Sequence, residues 1–208
     1  IAVTAGPTQE PLDPVRYLTN HSTGKMGYAV ARAAAMRGAD VTLIHGPTAL
    51  PPVKFTEDVP ITTAQDMYEA VTSRFADMDI LVMAAAVADY RPATVADDKI
   101  KKKDGDLSIP VERTADILGT IGPRKTKQFL CGFSMETRDM VENSAAKLKK
   151  KNLDMVVANN LKISGAGFGV DTNVVTFITP DGTRELPLMS KADVADAILD
   201  EILKRRGH

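Results

Sequence analysis

Between Gly6 and Gly27 the chain carries Arg16, Asn20, His21, Ser22, Thr23 and Lys25, a set of cations and neutral donors suited to gripping anions. Arginine and lysine supply charge for a phosphate or carboxylate, and amide and hydroxyl groups orient one. The stretch follows a short apolar strand, residues 1–5, and precedes an alanine-rich helix ending near Arg37. In a nucleotide-binding βαβ unit this connection is a tight G-x-G-x-x-G turn that brings a pyrophosphate to the helix N-terminus. Here it is more than three times the roughly 2–6 residues usual for a βα loop, and a loop that long is more often functional than idle. The chemistry expected of it is phosphate binding combined with the holding of a second, acidic substrate.

Further reactive groups follow. Ala84, Ala85 and Ala86 end an apolar run and let a ligand approach the backbone; Asp89 is an acceptor for a hydroxyl, amide or amine. Alternatively the alanines only permit close packing and Asp89 caps a helix. Lys99, Lys101, Lys102 and Lys103, with Asp104 and Gly105, form either a solvated loop or a flap that closes over polyphosphate and excludes water. Lys147 and Lys151 lie four apart on one helical face, serving solubility and the C-terminal dipole or, at the sheet's carboxyl edge, a triphosphate. Phe133 is a core residue or a stacking surface for a base, and Asn159 would sit beside the same edge.

The elements that must position these groups alternate. Strands are expected at residues 1–4, 40–44, within 53–61, and at 80–84, 129–133 and 155–158. Helices are expected at 24–37, stopped by Gly38, at 63–77 with Thr63 as N-cap, and at 141–151. Met67, Val71 and Phe75 recur every four residues and should face the sheet. Residues 173–179 and 184–188 flank a Pro-Asp-Gly-Thr turn and read as a β-hairpin. Ser190 and Asp193 form a capping box for a last helix, with Val194, Ile198, Leu199, Ile202 and Leu203 as its apolar face. The expected fold is α/β, a Rossmann-like doubly wound, mostly parallel sheet with a C-terminal β-hairpin.

Composition narrows the function classes. The 208 residues suit one domain, and 44% hydrophobic with 25% charged residues is ordinary for a globular chain. A net charge of −1 argues against general nucleic-acid affinity. The single cysteine, Cys131, excludes an internal disulfide, fits a reducing and hence cytoplasmic setting, and sits in an apolar run as a buried, inert thiol. No apolar run reaches the ~20 residues that span a bilayer. The start at Ile1 without methionine suggests a piece of a longer polypeptide. There is no P-loop, no G-x-S-x-G elbow and no zinc-ligand spacing.

Taken together, residues 4–8 (Thr-Ala-Gly-Pro-Thr), 10–16 (Glu-Pro-Leu-Asp-Pro-Val-Arg), 20–27 (Asn-His-Ser-Thr-Gly-Lys-Met-Gly), 84–90, 99–102, Gly132-Phe133 and Lys147-xxx-Lys151-Asn152 resemble the phosphopantothenoylcysteine synthetase family. In bacteria that family forms the synthetase half of a bifunctional coenzyme A biosynthesis protein. Two departures stand out: Ser22-Thr23-Gly24 where Ser-Ser-Gly is common, and Thr114-Ala115-Asp116 where Asn-Pro-Asp is common. The resemblance implies a single ligase domain over residues 1–208. It implies a reaction in which phosphopantothenate is activated by CTP, with Mg2+, to an acyl-cytidylate that cysteine converts to an amide. It further implies Asn20 and Lys99 as catalytic residues, and Arg16, Asn20, Ala85, Ala86 and Asp89 as substrate-binding residues. For the nucleotide it implies Gly6, Ser22, Gly24, Gly27, Asp89, Lys99, Ala115, Asp116, Ile117, Leu118, Phe133, Lys147, Lys151 and Asn159. A homodimer and an upstream flavin-dependent decarboxylase domain complete what it implies, with Arg16 reaching phosphate across the subunit boundary.

Two other readings share the βαβ opening. A dinucleotide-dependent reductase needs a tight glycine turn after the first strand and an acid near the end of the second, but that strand ends Leu43-Ile-His-Gly46. A non-catalytic nucleotide-binding module does not call for both a dense polar loop and a lysine-rich flap.

Overall fold

The computed structural model describes residues 1–102, 107–136, 139–160 and 167–207. Lys103, Asp104 and Gly105 of the expected flap, and the terminal His208, lie outside the described residues. Five apolar runs and a polar edge segment become six parallel strands: β1 (Ala2–Ala5), β2 (Val41–His45), β3 (Thr56–Pro60, the edge), β4 (Ile80–Met83), β5 (Phe129–Glu136) and β6 (Met155–Asn160). An antiparallel hairpin, β7 (Val175–Thr179) and β8 (Gly182–Glu185), extends the sheet beyond β6. Across this eight-stranded sheet the order is β3-β2-β1-β4-β5-β6-β7-β8. The first six strands thus follow the doubly wound order, and the winding reverses between β1 and β4. Ligands in such sheets bind in the crevice that this reversal opens at the strands' carboxyl ends.

Strands buried on both faces need apolar side chains on both, which is why their sequences run without alternation. Val157 points to the layer of α1 (Lys25–Met36) and α5 (Lys191–Arg206), whereas its neighbour Val156 points to α2 (Ala64–Arg74), α3 (Ile117–Ile121) and α4 (Met140–Lys150). Met67, Val71 and Phe75 face the second layer as their spacing predicts. Cys131 is fully buried in the first, and burial raises its thiol pKa far above the ordinary value. Where α1 crosses β1 no side chain fits: a Cβ on Gly27 would lie 2.6 Å from both the Ala5 Cβ and the Thr4 carbonyl. Full burial of a side chain such as Phe177 contributes ~1.5–3 kcal/mol.

The third strand, Thr56–Pro60, falls within the expected 53–61, beginning after a turn at residues 54–55 with Phe55 at φ 63° and exposed. Several boundaries differ from the sequence-based expectation, each for a local reason. The helix expected to reach residue 77 ends at Arg74 and tightens into a 3₁₀ turn over Phe75–Asp77. Asn173 leaves the hairpin to pair with Met189 in a separate two-stranded ribbon, Thr172–Asn173 with Met189–Ser190. The return strand stops at Glu185, ahead of Pro187, which lacks the N–H to continue a ladder. Ser190 does cap α5 through the Asp193 amide at 3.1 Å, while the Asp193 carboxylate accepts from the Ser190 hydroxyl at 2.6 Å. The reciprocal box with the N-cap amide forms instead between Thr63 and Asp66. Two ribbons occupy stretches for which no strand was expected: Glu10–Pro11 with Tyr17–Leu18, and Tyr90–Pro92 with Val111–Arg113.

Candidate active site

The reversal between β1 and β4 is stitched shut at its base. Beyond the ends of the two strands, the Ala86 amide donates to the Gly6 carbonyl at 2.9 Å and Pro7 bridges to Ala86. Two fully buried threonines reinforce the seam, accepting from the Ala85 amide (Thr4 Oγ1, 3.1 Å) and the Ala88 amide (Thr8 Oγ1, 3.0 Å). The long loop is tied to α2 as well, because the buried Glu10 carboxylate accepts the Ala64 amide at 2.9 Å. A negative group at a helix N-terminus is favourable there.

Asn20 is fixed on this seam. Its Nδ2 donates to the Ala86 carbonyl at 2.6 Å, and its Oδ1 accepts from the Ser22 amide at 3.0 Å. Gly24 then adopts the left-handed conformation (φ 79°) and starts α1 with no side-chain cap and no acid in the first turn. A Cβ on Gly24 would come within 3.3 Å of the Gly6 nitrogen, so glycine serves both the conformation and the approach. The result is a helix N-terminus whose amides and dipole suit an anion.

Above the seam lies an open cavity of about 730 Å³, in the size range of small-molecule sites. Its lining unites Asn20, Ser22, Gly24 and Gly27 with Ala85, Ala86 and Asp89. It also includes Ala115, Asp116, Ile117 and Leu118 at the start of α3, and Phe133, Lys147, Lys151 and Asn159 from β5, α4 and β6. Lys147 Nζ donates to Ser134 Oγ at 3.2 Å, and Lys151 Nζ to Asp116 Oδ1 at 2.8 Å. Asp116 also caps α3 through the Gly119 amide. Burial works against the Asp116 carboxylate, but the bonds from Lys151 and Gly119 outweigh it and hold its pKa below the ordinary value. Asn159 is buried, and its Oδ1 has no hydrogen-bond partner among the described residues.

Three of the residues implied by the resemblance lie elsewhere. Gly6 sits behind the lining in the seam, against Gly46 and Gly24. Arg16 and Lys99 are not part of this chain's cavity wall. Arg16 instead forms a two-point ion pair with Asp13, at 3.0 and 2.5 Å, and donates to the Ile100 carbonyl at 2.9 Å. Asp13 in turn accepts the Ile100 amide at 3.0 Å. The Arg16 guanidinium, helped by backbone donors, holds the Asp13 carboxyl well below the carboxylate range against the opposing effect of burial. His21 is exposed and outside the cavity.

Other lining residues escape sequence reasoning. Thr114 donates its hydroxyl to the Ala88 carbonyl at 2.6 Å and couples the two edges of the site. Gly167, Phe168, Asn173 and Lys191 close one end of the cavity. Lys191 reads in sequence only as the first residue of a capped helix, and no spacing signals its contacts with residues 167–170.

Fold and site define a nucleotide-type α/β domain whose switch-point cavity joins a helix N-terminus, an anchored amide and a lysine pair. The chain matches the DNA/pantothenate metabolism flavoprotein C-terminal domain over residues 1–205, and it belongs to that family. It is 52% identical over 204 residues to the coenzyme A biosynthesis bifunctional protein CoaBC of Bacillus subtilis (strain 168), covering 97% of this chain and 50% of that protein. The crystal structure of the C-terminal domain of a CoaBC protein superposes with a TM-score of 0.82 at 44% identity, covering 97% of this chain and 92% of that one. A Cab2 mutant in complex with phosphopantothenate-cysteine shares the fold, with a TM-score of 0.84 at 18% identity over 99% of this chain and 85% of that one. The chain spans about half the length of the curated relatives it matches.

Proposed function

We propose that this chain is a phosphopantothenate–cysteine ligase of coenzyme A biosynthesis, using CTP. The observation that carries the reading is Asn20, locked to Ala86 at the sheet's switch point, on the wall of a cavity that also holds Lys147, Lys151 and the uncapped start of α1. Family membership and the names of the relatives agree with it.

In the first step a carboxylate oxygen of phosphopantothenate attacks the α-phosphorus of CTP. The bond from that phosphorus to the bridging oxygen breaks, and pyrophosphate leaves. In the second, the neutral amine of cysteine attacks the acyl carbon; the bond to CMP breaks and the amine proton passes to water. Nδ2 of Asn20 carries two hydrogens. One is committed to Ala86, leaving the other to bind the acyl oxygen as charge gathers on it, which is how a preorganised donor lowers such a barrier. Phe133, Lys147, Lys151, Asn159, the glycines of α1 and the 115–118 segment bind the nucleotide, and Asp89, Ala85 and Ala86 border both substrates.

Magnesium fits as a partner of the triphosphate. Among the described residues no three His, Cys, Asp or Glu side chains cluster to cage a metal, but Mg2+ is commonly held by one carboxylate plus phosphate oxygens. Asp89 is the group for that, since Asp116 is engaged by Lys151 and Gly119. The ion would neutralise part of the phosphate charge.

The functional unit in this reading is a homodimer. Val15, Tyr17, Tyr90, Val95, Leu107 and Val111 are all large, apolar and about half exposed or more, and all lie on or between the two small ribbons. The Ala96 amide donates to the Leu12 carbonyl at 3.1 Å, tying those segments together. A clustered apolar surface of this kind marks an interface. Arg16 and Lys99 stand on the same surface and serve the neighbouring subunit's cavity. An upstream decarboxylase domain accounts for the remaining half of the relatives' length. A cytoplasmic location fits this pathway, and among the described residues no helix is long and apolar enough to cross a membrane.

The test supplies phosphopantothenate, cysteine and Mg2+ with CTP, or with ATP as control, and follows CMP and pyrophosphate. Stoichiometric CMP that requires cysteine supports the ligase. Oxidation of NADPH without CMP would point to the reductase, and CTP binding without turnover to a non-catalytic module.

A further inference from the structure

Lys191 is placed where a lysine is unfavourable. It occupies the first turn of α5, where the helix dipole repels a cation, and it is only 6% exposed. Among the described residues its side chain takes no carboxylate partner of its own; Asp171, the nearby acid, is bonded to Lys25 at 2.7 Å. Instead Nζ donates to three main-chain carbonyls of one short segment: Gly167 at 2.9 Å, Phe168 at 3.2 Å, and Val170. Three carbonyl oxygens converging on one point repel each other and need a cation or donors between them. Burial, with Lys25 close by, lowers the Lys191 pKa while Asp171 opposes the change.

The same segment is held from its other side by the β1–α1 loop. Thr23 Oγ1 donates to the Phe168 carbonyl at 2.7 Å, and Lys25 Nζ to the Gly169 carbonyl at 3.0 Å. Gly167 and Phe168 thereby join the lining of the cavity beside the residues that open α1. We propose that Lys191 is a positioning residue, a tethered internal cation around which residues 167–170 wrap to complete the wall of the nucleotide-binding cavity. The role rests on the ligase reading for what the cavity binds, and on the carbonyl geometry for what Lys191 does. It distinguishes Lys191 from a phosphate-binding lysine, because its donors are already committed to protein carbonyls.

The test compares wild type with K191A by CTP binding, in the presence of ethylammonium chloride or tetramethylammonium chloride. K191A should bind CTP at least about tenfold more weakly, with recovery in ethylammonium, which donates hydrogen bonds, and none in tetramethylammonium, which does not. A folded K191A with wild-type affinity, or equal effects of the two salts, would overturn the proposal. Should K191A fail to fold, NMR of the wild-type lysine ammonium decides: slow proton exchange with couplings from Lys191 Nζ to the 167 and 168 carbonyls supports it, and a freely exchanging ammonium refutes it. Wild-type CMP release is measured in parallel. If wild type makes no CMP the ligase reading fails, whereas productive wild type with an unaffected K191A defeats only the role of Lys191.

Discussion

Asn20 Nδ2 and the carbonyl oxygen of Ala86 lie 2.6 Å apart, joining the loop after β1 to the segment after β4 across the point where the sheet reverses. One side chain therefore both closes the seam and presents a donor to the cavity. In Asn20→Asp a carboxylate oxygen would face that carbonyl, and the donor to a reacting acyl group would be lost. We predict that pyrophosphate release persists while amide formation slows about 10²–10³-fold, the usual cost of one oxyanion-type donor. Quenched-flow with radiolabelled CTP should show acyl-cytidylate accumulating; turnover to product at the wild-type rate would remove Asn20 from the second step.

Lys99 and Arg16 lie outside their own chain's cavity wall, close together because Arg16 donates to the carbonyl of Ile100. Lys99→Gln should abolish pyrophosphate release by homodimers. Mixing it with Asn20→Asp restores one intact site per heterodimer if the lysine acts across the interface, so random exchange should recover about a quarter of wild-type activity. No recovery after verified subunit exchange would place Lys99 in its own subunit's chemistry.

Gly27 has no room for a side chain, with Ala5 Cβ and the Thr4 carbonyl each 2.6 Å from where its Cβ would be. Gly27→Ala must push α1 off β1, and overpacking of this kind costs ~1–3 kcal/mol. Urea denaturation should show a lower midpoint at unchanged slope. Because α1 carries the anion-facing amides, the apparent affinity for CTP should fall as well.

The parallel core was legible because doubly buried strands are continuous apolar runs, as at residues 80–83 and 155–158, and because Met67, Val71 and Phe75 keep a helical period. The ribbons at Glu10–Pro11 and Tyr90–Pro92 were not, since strands of two or three residues carry no period to read. Contacts far apart in sequence were equally hidden. Nothing local couples Glu10 to the start of α2, Lys151 to Asp116, or Lys191 to residues 167–170. For the same reason no sequence signal links Arg16 and Lys99, which the fold brings close through Asp13 and Ile100, outside the wall of their own chain's cavity.

Asp13 holds the Lys99–Ile100 segment in place: it accepts from the amides of Val15, Arg16 and Ile100 and from the Arg16 guanidinium. Its pKa is depressed in the folded state, so its contribution to stability is complete above its unfolded value and is lost as pH falls through the folded one. Asp13→Asn turns donors toward donors at every pH. The variant should lose the steep part of the acid-unfolding curve, and misplacement of Lys99 should slow pyrophosphate release by about tenfold or more. An unchanged acid limb together with an unchanged rate would dissociate Asp13 from both roles.

Cys131 offers a probe of the core that bears on none of the chemistry. The thiol is fully buried between β4 and β6, and burial, with a smaller contribution from Asp154, raises its pKa. Because the reactive species is the thiolate, a neutral buried thiol is inert until the sheet opens. At pH 8 the native protein should react with Ellman's reagent only through unfolding, so the rate should track stability across a urea series. Gly27→Ala should accelerate labelling by the factor its denaturation midpoint implies. A labelling rate independent of urea and of Gly27→Ala would mean that β4, β5 and β6 part locally, and that the floor of the cavity is less rigid than its packing indicates.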